Sequence, residues 1–120
     1  MTPAARSLLV FGVYLLGLAV ALVLAPNFLL GLFGVPPTQE VWIRVVGLLA
    51  GIVGAYYMVM VRRSLSALYM PTVVARVFAF ILLCAFALLQ LGPPQLAIFG
   101  VVDLLGALWT WRALRVEPRT

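Results

Sequence analysis

Long stretches of apolar residues dominate the chain and alternate with short polar connections. The apolar stretches cover four ranges, residues 8–25, 41–61, 72–91 and 96–114. A helix needs about 20 mostly apolar residues to cross the hydrocarbon core of a bilayer, and each stretch approaches that length. Strands of a membrane barrel would alternate apolar and polar positions, which these stretches do not do. The pattern predicts a single all-α domain, an integral membrane four-helix bundle with short loops, spanning residues 1–120.

The connection after the first stretch contains a shorter apolar segment. Residues 27–34 read NFLLGLFG and directly follow Pro26. A segment this short cannot cross a membrane as a helix. We expect it to lie along the membrane interface, and the alternative is an extension of the first helix that is kinked at Pro26.

Composition supports the membrane assignment. The chain is 66% hydrophobic and 9% charged, whereas soluble domains are about 45–50% apolar and about 25% charged. A soluble domain of this length could not bury so much apolar surface. The bilayer itself is therefore the expected principal partner.

Basic residues predict the orientation. The net charge of +5 comes from eight basic residues, all arginine, against three acids. If the positive-inside rule holds, the arginine clusters place both termini in the cytoplasm, and they give no reason to expect a nucleic-acid partner. Cleavage of residues 1–25 as a signal peptide is the less favoured alternative, because it would leave Pro26 at the new terminus and break this charge pattern. The arginines that define the pattern are Arg6, Arg62, Arg63, Arg112, Arg115 and Arg119.

Small and polar residues recur on one face of each predicted helix, whereas bulky aliphatic residues occupy the other faces. Small residues let membrane helices approach closely, so we predict that these faces meet inside the bundle. For Gly47 and Gly51 the alternative is the seam of a homodimer. In chain order the four faces consist of Ser7, Tyr14, Gly17, Ala21 and Ala25; of Glu40, Arg44, Gly47, Gly51, Gly54 and Met58; of Thr72, Arg76, Ala79, Leu83, Ala87 and Gln90; and of Gly100, Asp103, Gly106, Ala107 and Thr110.

Charged residues on these faces are the functional candidates, since an ionised group inside a bilayer normally pairs or faces a polar cavity. One interpretation is a structural network that fixes helix register and includes a Glu40–Arg44 pair. Another is a pocket for an amphipathic ligand whose headgroup meets Arg44 or Arg76. A third is a proton or ion path through Asp103. The predicted network or site consists of Tyr14, Glu40, Arg44, Arg76, Gln90, Asp103 and Thr110.

Side-chain chemistry argues against catalysis. The chain has no histidine, and its one cysteine, Cys84, lies within an apolar stretch. Histidine-based metal sites and triads are therefore excluded, and no nucleophile stands beside a base. We expect no enzyme activity, no cofactor and no metal site.

Several strings resemble a known group of proteins. Arg44 with the following glycines, Arg76, the string DLLGALWT at 103–110 and the segment APNFLLGLFGVP at 25–36 are similar to the small four-helix bacterial membrane proteins known as DoxX-like or BphX-like. The resemblance implies a four-helix fold in the bacterial inner membrane, with a small hydrophobic ligand or a partner in a membrane complex. It implies no catalytic residues.

Taken together, these patterns predict a non-enzymatic multi-pass membrane protein. Its inward polar face is expected to bind a small lipid or another hydrophobic or amphipathic molecule, or to support a complex as a homo-oligomer or with a membrane partner protein. One alternative is a purely structural or accessory subunit. Another is a small transporter or channel subunit that uses Asp103.

Overall fold

A computed structural model describes residues 2–116, and every regular element in that range is helical. Four of the helices, all except α2, are long and apolar enough to cross a membrane, which confirms the predicted all-α class. Arg119, one of the arginines used to predict orientation, lies outside the described residues. The helices are α1 (Pro3–Leu24), α2 (Pro26–Leu32), α3 (Trp42–Arg62), α4 (Tyr69–Leu88) and α5 (Leu96–Val116), with a 3₁₀ turn at Ser66–Leu68 before α4.

Helix α1 begins five residues earlier than its apolar stretch, at Pro3 rather than at residue 8. Thr2 caps it, because the Thr2 side chain accepts a hydrogen bond of 3.1 Å from the backbone N–H of Ala5. Proline at the first helical position is already in a helical backbone conformation and lacks only an N–H that would have no partner. The capping residues therefore set this boundary, and hydrophobicity does not.

Helix α4 ends at Leu88 rather than at residue 91, so Gln90 does not lie on its face as predicted. Gln90 adopts a left-handed conformation with φ 58°. Its N–H donates to the carbonyl of Ala87 at 3.2 Å, and the N–H of Leu91 donates to the carbonyl of Phe86 at 3.0 Å. These bonds satisfy the last carbonyls of the helix. Gln90 is an exposed helix-terminating residue.

The apolar segment after α1 forms a separate helix, α2, of 7 residues. Ala25 separates the two helices with φ −144° and ψ 64°. A residue that precedes proline is sterically disfavoured in the helical conformation, and Ala25 precedes Pro26. The alternative prediction, an extension of the first helix that is kinked at Pro26, is therefore wrong.

The four long helices pack in the order α3–α1–α5–α4. Helix α1 packs mainly against α3 and α5, and α4 packs mainly against α5. The molecule measures 49 × 28 × 18 Å, so it is a flattened bundle. Helices α3 and α4 lie at its two edges, and α1 is one of the two central helices.

Glycines on α3 and α5 receive bulky side chains of α1. A Cβ atom added to Gly47 would lie 2.7 Å from the Cβ of Leu22, and one added to Gly106 would lie 2.6 Å from the Phe11 ring. The small faces of α3 and α5 thus pack within the chain, and Gly47 is buried there.

The buried face of α1 differs from the predicted one. Half of its eight buried residues are bulky, whereas Gly17, which we expected inside, is exposed and has no neighbour within 4 Å of its added Cβ atom. The reason is complementarity: the glycine faces of α3 and α5 leave hollows that large side chains of α1 fill. The larger buried apolar residues of α1 are Leu8, Phe11, Leu15 and Leu22.

Candidate functional site

The bundle has two unlike halves. The closed half contains the first halves of α1 and α4 and the second halves of α3 and α5, and the main hydrophobic core lies in it. The open half contains the remaining parts of these helices together with α2 and the connections 33–41 and 89–95. The buried core residues of the closed half include Ala4, Leu8, Phe11, Tyr57, Tyr69 and Ala113.

Arg76 lies at the centre of the closed half, with only 4% of its surface exposed. Its Nε donates to the backbone carbonyl of Thr72 at 3.2 Å, one helical turn earlier. Its Nη2 donates to the hydroxyl of Thr72 at 3.2 Å and to the hydroxyl of Thr110 at 2.9 Å. The guanidinium therefore joins α4 to α5.

A chain of hydroxyl groups continues from Arg76 to α1. The oxygens of Thr110 and Ser7 are 2.7 Å apart, and the Ser7 hydroxyl donates to the carbonyl of Ala4 at 2.7 Å. Because each hydroxyl has one proton, Thr110 accepts from Arg76 and donates to Ser7. The sequence pattern placed Ser7 and Thr72 on inward faces, but it did not identify them as partners of Arg76.

Aromatic rings surround the rest of the guanidinium. Its central carbon lies 4.8 Å from the ring centroid of Phe11 and 5.6 Å from that of Tyr57, distances at which a ring face attracts a cation. The remaining nitrogen, Nη1, is buried without a hydrogen-bond partner and lies 3.1 Å from the position of a Cβ atom on Gly106. Hydroxyl groups and ring faces thus hold this buried charge, and no carboxylate among residues 2–116 bonds to it.

A cavity of about 710 Å³ occupies the open half. It lies between α3 on one side and α4 and α5 on the other, with α1 behind it. The connection that follows α2 borders it and is tied back to α2 by a 2.8 Å bond from the Thr38 N–H to the Asn27 side chain. Most of the lining is apolar, and its polar side chains are Tyr14, Thr38, Glu40, Gln95 and Asp103.

Asp103 contributes a carboxyl group to the wall of this cavity and is partly exposed. None of the donors of Arg76 bonds to it, since two nitrogens bond to threonines and the third has no partner. Within residues 2–116 no ion pair includes Asp103. The predicted network therefore separates into a buried arginine cluster and a carboxyl group that faces open space.

Arg44 and Glu40 lie at the far end of the open half and are both exposed. The Nη1 of Arg44 donates to the backbone carbonyl of Val23. The last carbonyls of a helix lack partners within it and attract a cation, so Arg44 binds the end of α1 rather than Glu40. Glu40 lines the cavity, whereas neither Arg44 nor Arg76 does. The two arginines that we expected to bind a ligand headgroup thus do not line the cavity.

A shallower apolar groove of about 340 Å³ lies between α1, α2 and α5, on the other side of Tyr14. Phe33 and Phe99 line it, and their ring centroids are 5.1 Å apart. Gly17 opens onto this groove. Because no charged side chain lines it, we regard the larger cavity as the candidate site.

Comparison of the chain with protein-family models, with curated proteins and with solved structures found no match. The resemblance to the DoxX-like or BphX-like group therefore stays a prediction. The cavity that Asp103 and Glu40 line is the candidate functional site.

Proposed function

We propose that this chain is a multi-pass membrane protein that binds a small hydrophobic molecule in the cavity of its open half. The observation that supports this proposal is a cavity of about 710 Å³ with a mainly apolar lining and a few polar groups. Small-molecule sites occupy about 300–1,000 Å³ and have this kind of lining.

The closed half supports this role by holding the helices together at one end. The bonds from Arg76 through Thr110 to Ser7 link α4, α5 and α1. With the helices fixed there, α3 and α4 can stand apart at the other end without loss of the fold. The arginine cluster thus has a structural role, and the cavity has the binding role.

Binding rather than catalysis is the better proposal for the chemistry of this cavity. The titratable groups in its lining are two carboxyl groups and one phenol, from Glu40, Asp103 and Tyr14. A hydrolytic or transfer reaction would need a nucleophile held beside a base, and this set does not supply one.

Filling the cavity tests the proposal. In Ala50→Trp the indole would enter the cavity, which Ala50 lines, whereas Ala55→Trp places the same ring on the exposed face of the same helix. Native mass spectrometry of gently extracted protein should show a retained small molecule in the wild type and in Ala55→Trp, and none in Ala50→Trp. Equal retention in both variants, or none in the wild type, would contradict the proposal.

We further propose that the protein lies in a bacterial inner membrane with both termini in the cytoplasm. The support is the position of Arg6, Arg62, Arg63, Arg112 and Arg115 at one end of the bundle, which the positive-inside rule assigns to the cytoplasm. Reporter fusions at residues 64 and 92 should distinguish the sides. A fluorescent protein should be active only at residue 64 and a secreted phosphatase only at residue 92, and the reverse result would reject this topology.

Transport is a second candidate, favoured by the position of Asp103 on the cavity wall without an ion-pair partner among residues 2–116. Titratable groups that face cavities within a membrane often mark proton or ion paths. Purified protein in liposomes should then carry a proton flux that Asp103→Asn abolishes and Ala55→Trp preserves. If wild-type liposomes are no leakier than protein-free liposomes, this candidate is removed.

A further inference from the structure

The charged side chains that line the cavity are all acidic. Asp103 lies on its wall near the middle of α5, and Glu40 lies beside the start of α3. The nearest arginines lie elsewhere: Arg76 is enclosed in the closed half, and Arg44 bonds to the end of α1. The cavity therefore presents negative charge in a mainly apolar lining.

The carboxylate of Asp103 accepts no hydrogen bond from a described side chain. Arg76 lies within electrostatic range of it, but all the hydrogen bonds of the guanidinium go to Thr72 and Thr110. A carboxylate removed from water is unfavourable unless a cation or hydrogen-bond donors stabilise it. Since the lining contributes no cation, a ligand that brings one would gain both a charge partner and an apolar site.

We propose that the preferred ligand of this cavity is a hydrophobic cation, a lipophilic body that carries an amine, a quaternary ammonium or a comparable positive centre. The positive centre lies against Asp103, the apolar body contacts residues such as Leu18, Val46 and Phe99, and Glu40 attracts the ligand from the far end of the cavity. This inference rests on the proposed function of the cavity and adds the charge of its ligand.

Two probe ions of the same shape and opposite charge test whether the cavity prefers a positively charged ligand. Tetraphenylphosphonium and tetraphenylborate are small enough for a cavity of about 710 Å³. Binding of each radiolabelled ion is measured to protein in nanodiscs of zwitterionic phosphatidylcholine, with empty nanodiscs subtracted. We expect the cation to bind at least about 10-fold more tightly than the anion, because a charge pair is strong in a low-dielectric site.

Substitutions then locate the binding. Asp103→Asn should weaken cation binding about 10-fold and remove most of the preference over the anion, whereas Glu40→Gln, at the exposed end, should weaken it about 2–3-fold, because solvent screens an exposed charge. Ala50→Trp should abolish binding, and Ala55→Trp should leave it unchanged. Size-exclusion profiles and melting curves identify any variant that fails to fold. If the Asp103→Asn variant does not fold, the comparison of the two probe ions and the Glu40→Gln variant still test the inference.

The outcomes separate the two proposals. If both ions bind equally and Ala50→Trp blocks both, the cavity is a binding site and the inference about charge is wrong. A cation preference that persists in a folded Asp103→Asn variant also overturns the inference. If neither ion binds above empty nanodiscs, or if Ala50→Trp changes nothing, the proposed function fails together with it.

Discussion

The closed and open halves of the bundle treat an ionisable side chain in opposite ways. In the closed half, Arg76 makes three hydrogen bonds and lies against two aromatic rings. In the open half, Asp103 faces a cavity of about 710 Å³ and has no ion-pair partner among residues 2–116. A charged residue inside an apolar helix can therefore either join neighbouring helices or keep a space polar, depending on which groups lie next to it.

The largest effect should come from removing the arginine that closes the bundle. We expect Arg76→Ala to lower the free energy of unfolding by about 2–4 kcal/mol, because it removes buried bonds and leaves a hole between α1, α4 and α5. Arg44→Ala, at an exposed position, should change it by less than about 1 kcal/mol. Unfolding in mild detergent, followed by circular dichroism, measures both. Equal effects would show that the closed half does not depend on Arg76.

A smaller loss should follow from a single methyl group at the meeting point of α1, α4 and α5. In Gly106→Ala the new Cβ would lie 2.6 Å from the Phe11 ring and 3.1 Å from Nη1 of Arg76, so we expect a loss of about 1–3 kcal/mol. Gly17→Ala is the matched control, since its Cβ meets no atom within 4 Å, and it should be neutral or slightly stabilising. The same unfolding measurement applies, and a neutral Gly106→Ala would contradict the tight packing described here.

Removal of one hydroxyl group should show how much the hydrogen bonds between α1, α4 and α5 contribute to stability. Thr110→Val keeps the shape of the side chain but removes the bonds to Arg76 and Ser7. We expect a loss of about 1 kcal/mol, because hydrogen bonds between membrane helices contribute modestly. Thr110→Ser keeps the hydroxyl and should retain most of the stability. If both variants lose the same amount, the methyl group of Thr110 matters and its bonds do not.

The smallest effect on stability is expected in the open half. Asp103→Asn should change the free energy of unfolding by less than about 0.5 kcal/mol in either direction, because no hydrogen bond to a described side chain is lost. A loss as large as that of Arg76→Ala would place Asp103 in a register-fixing network and would remove the contrast between the halves. Unfolding curves at one pH, measured in parallel for both variants, provide the test.

The helical periodicity of small and bulky residues predicted much of the fold. On α3 and α5 it predicted the inward side for Gly47, Gly100 and Thr110, which are buried, and the outward side for Leu49 and Leu105, which are 56% and 60% exposed. The pattern was misleading on α1, where Gly17 faces outward. Periodicity gives the faces of one helix, but it does not say that a small face on one helix will meet a large face on another.

Arg44 and Arg76 illustrate why the site itself was harder to predict. Both lie on small-residue faces about one turn inside the apolar stretches 41–61 and 72–91, and the sequence gives them the same interpretation. They differ in what lies next to them: the free carbonyl of Val23 for Arg44, and the hydroxyls of Thr72 and Thr110 for Arg76. Neighbours from other helices depend on the packing order, which periodicity does not contain. The cavity also forms only when the helices pack together, so the periodicity of one helix does not predict it.

The order α3–α1–α5–α4 has a consequence for how the protein assembles during synthesis. The most extensive packing joins α1 to α3 and α4 to α5, which are successive spans along the chain. Each pair can therefore form a helical hairpin as it leaves the ribosome, and the second hairpin then docks through the seam between α1 and α5. A protein severed between residues 63 and 68 and expressed as two pieces should accordingly reassemble in the bilayer.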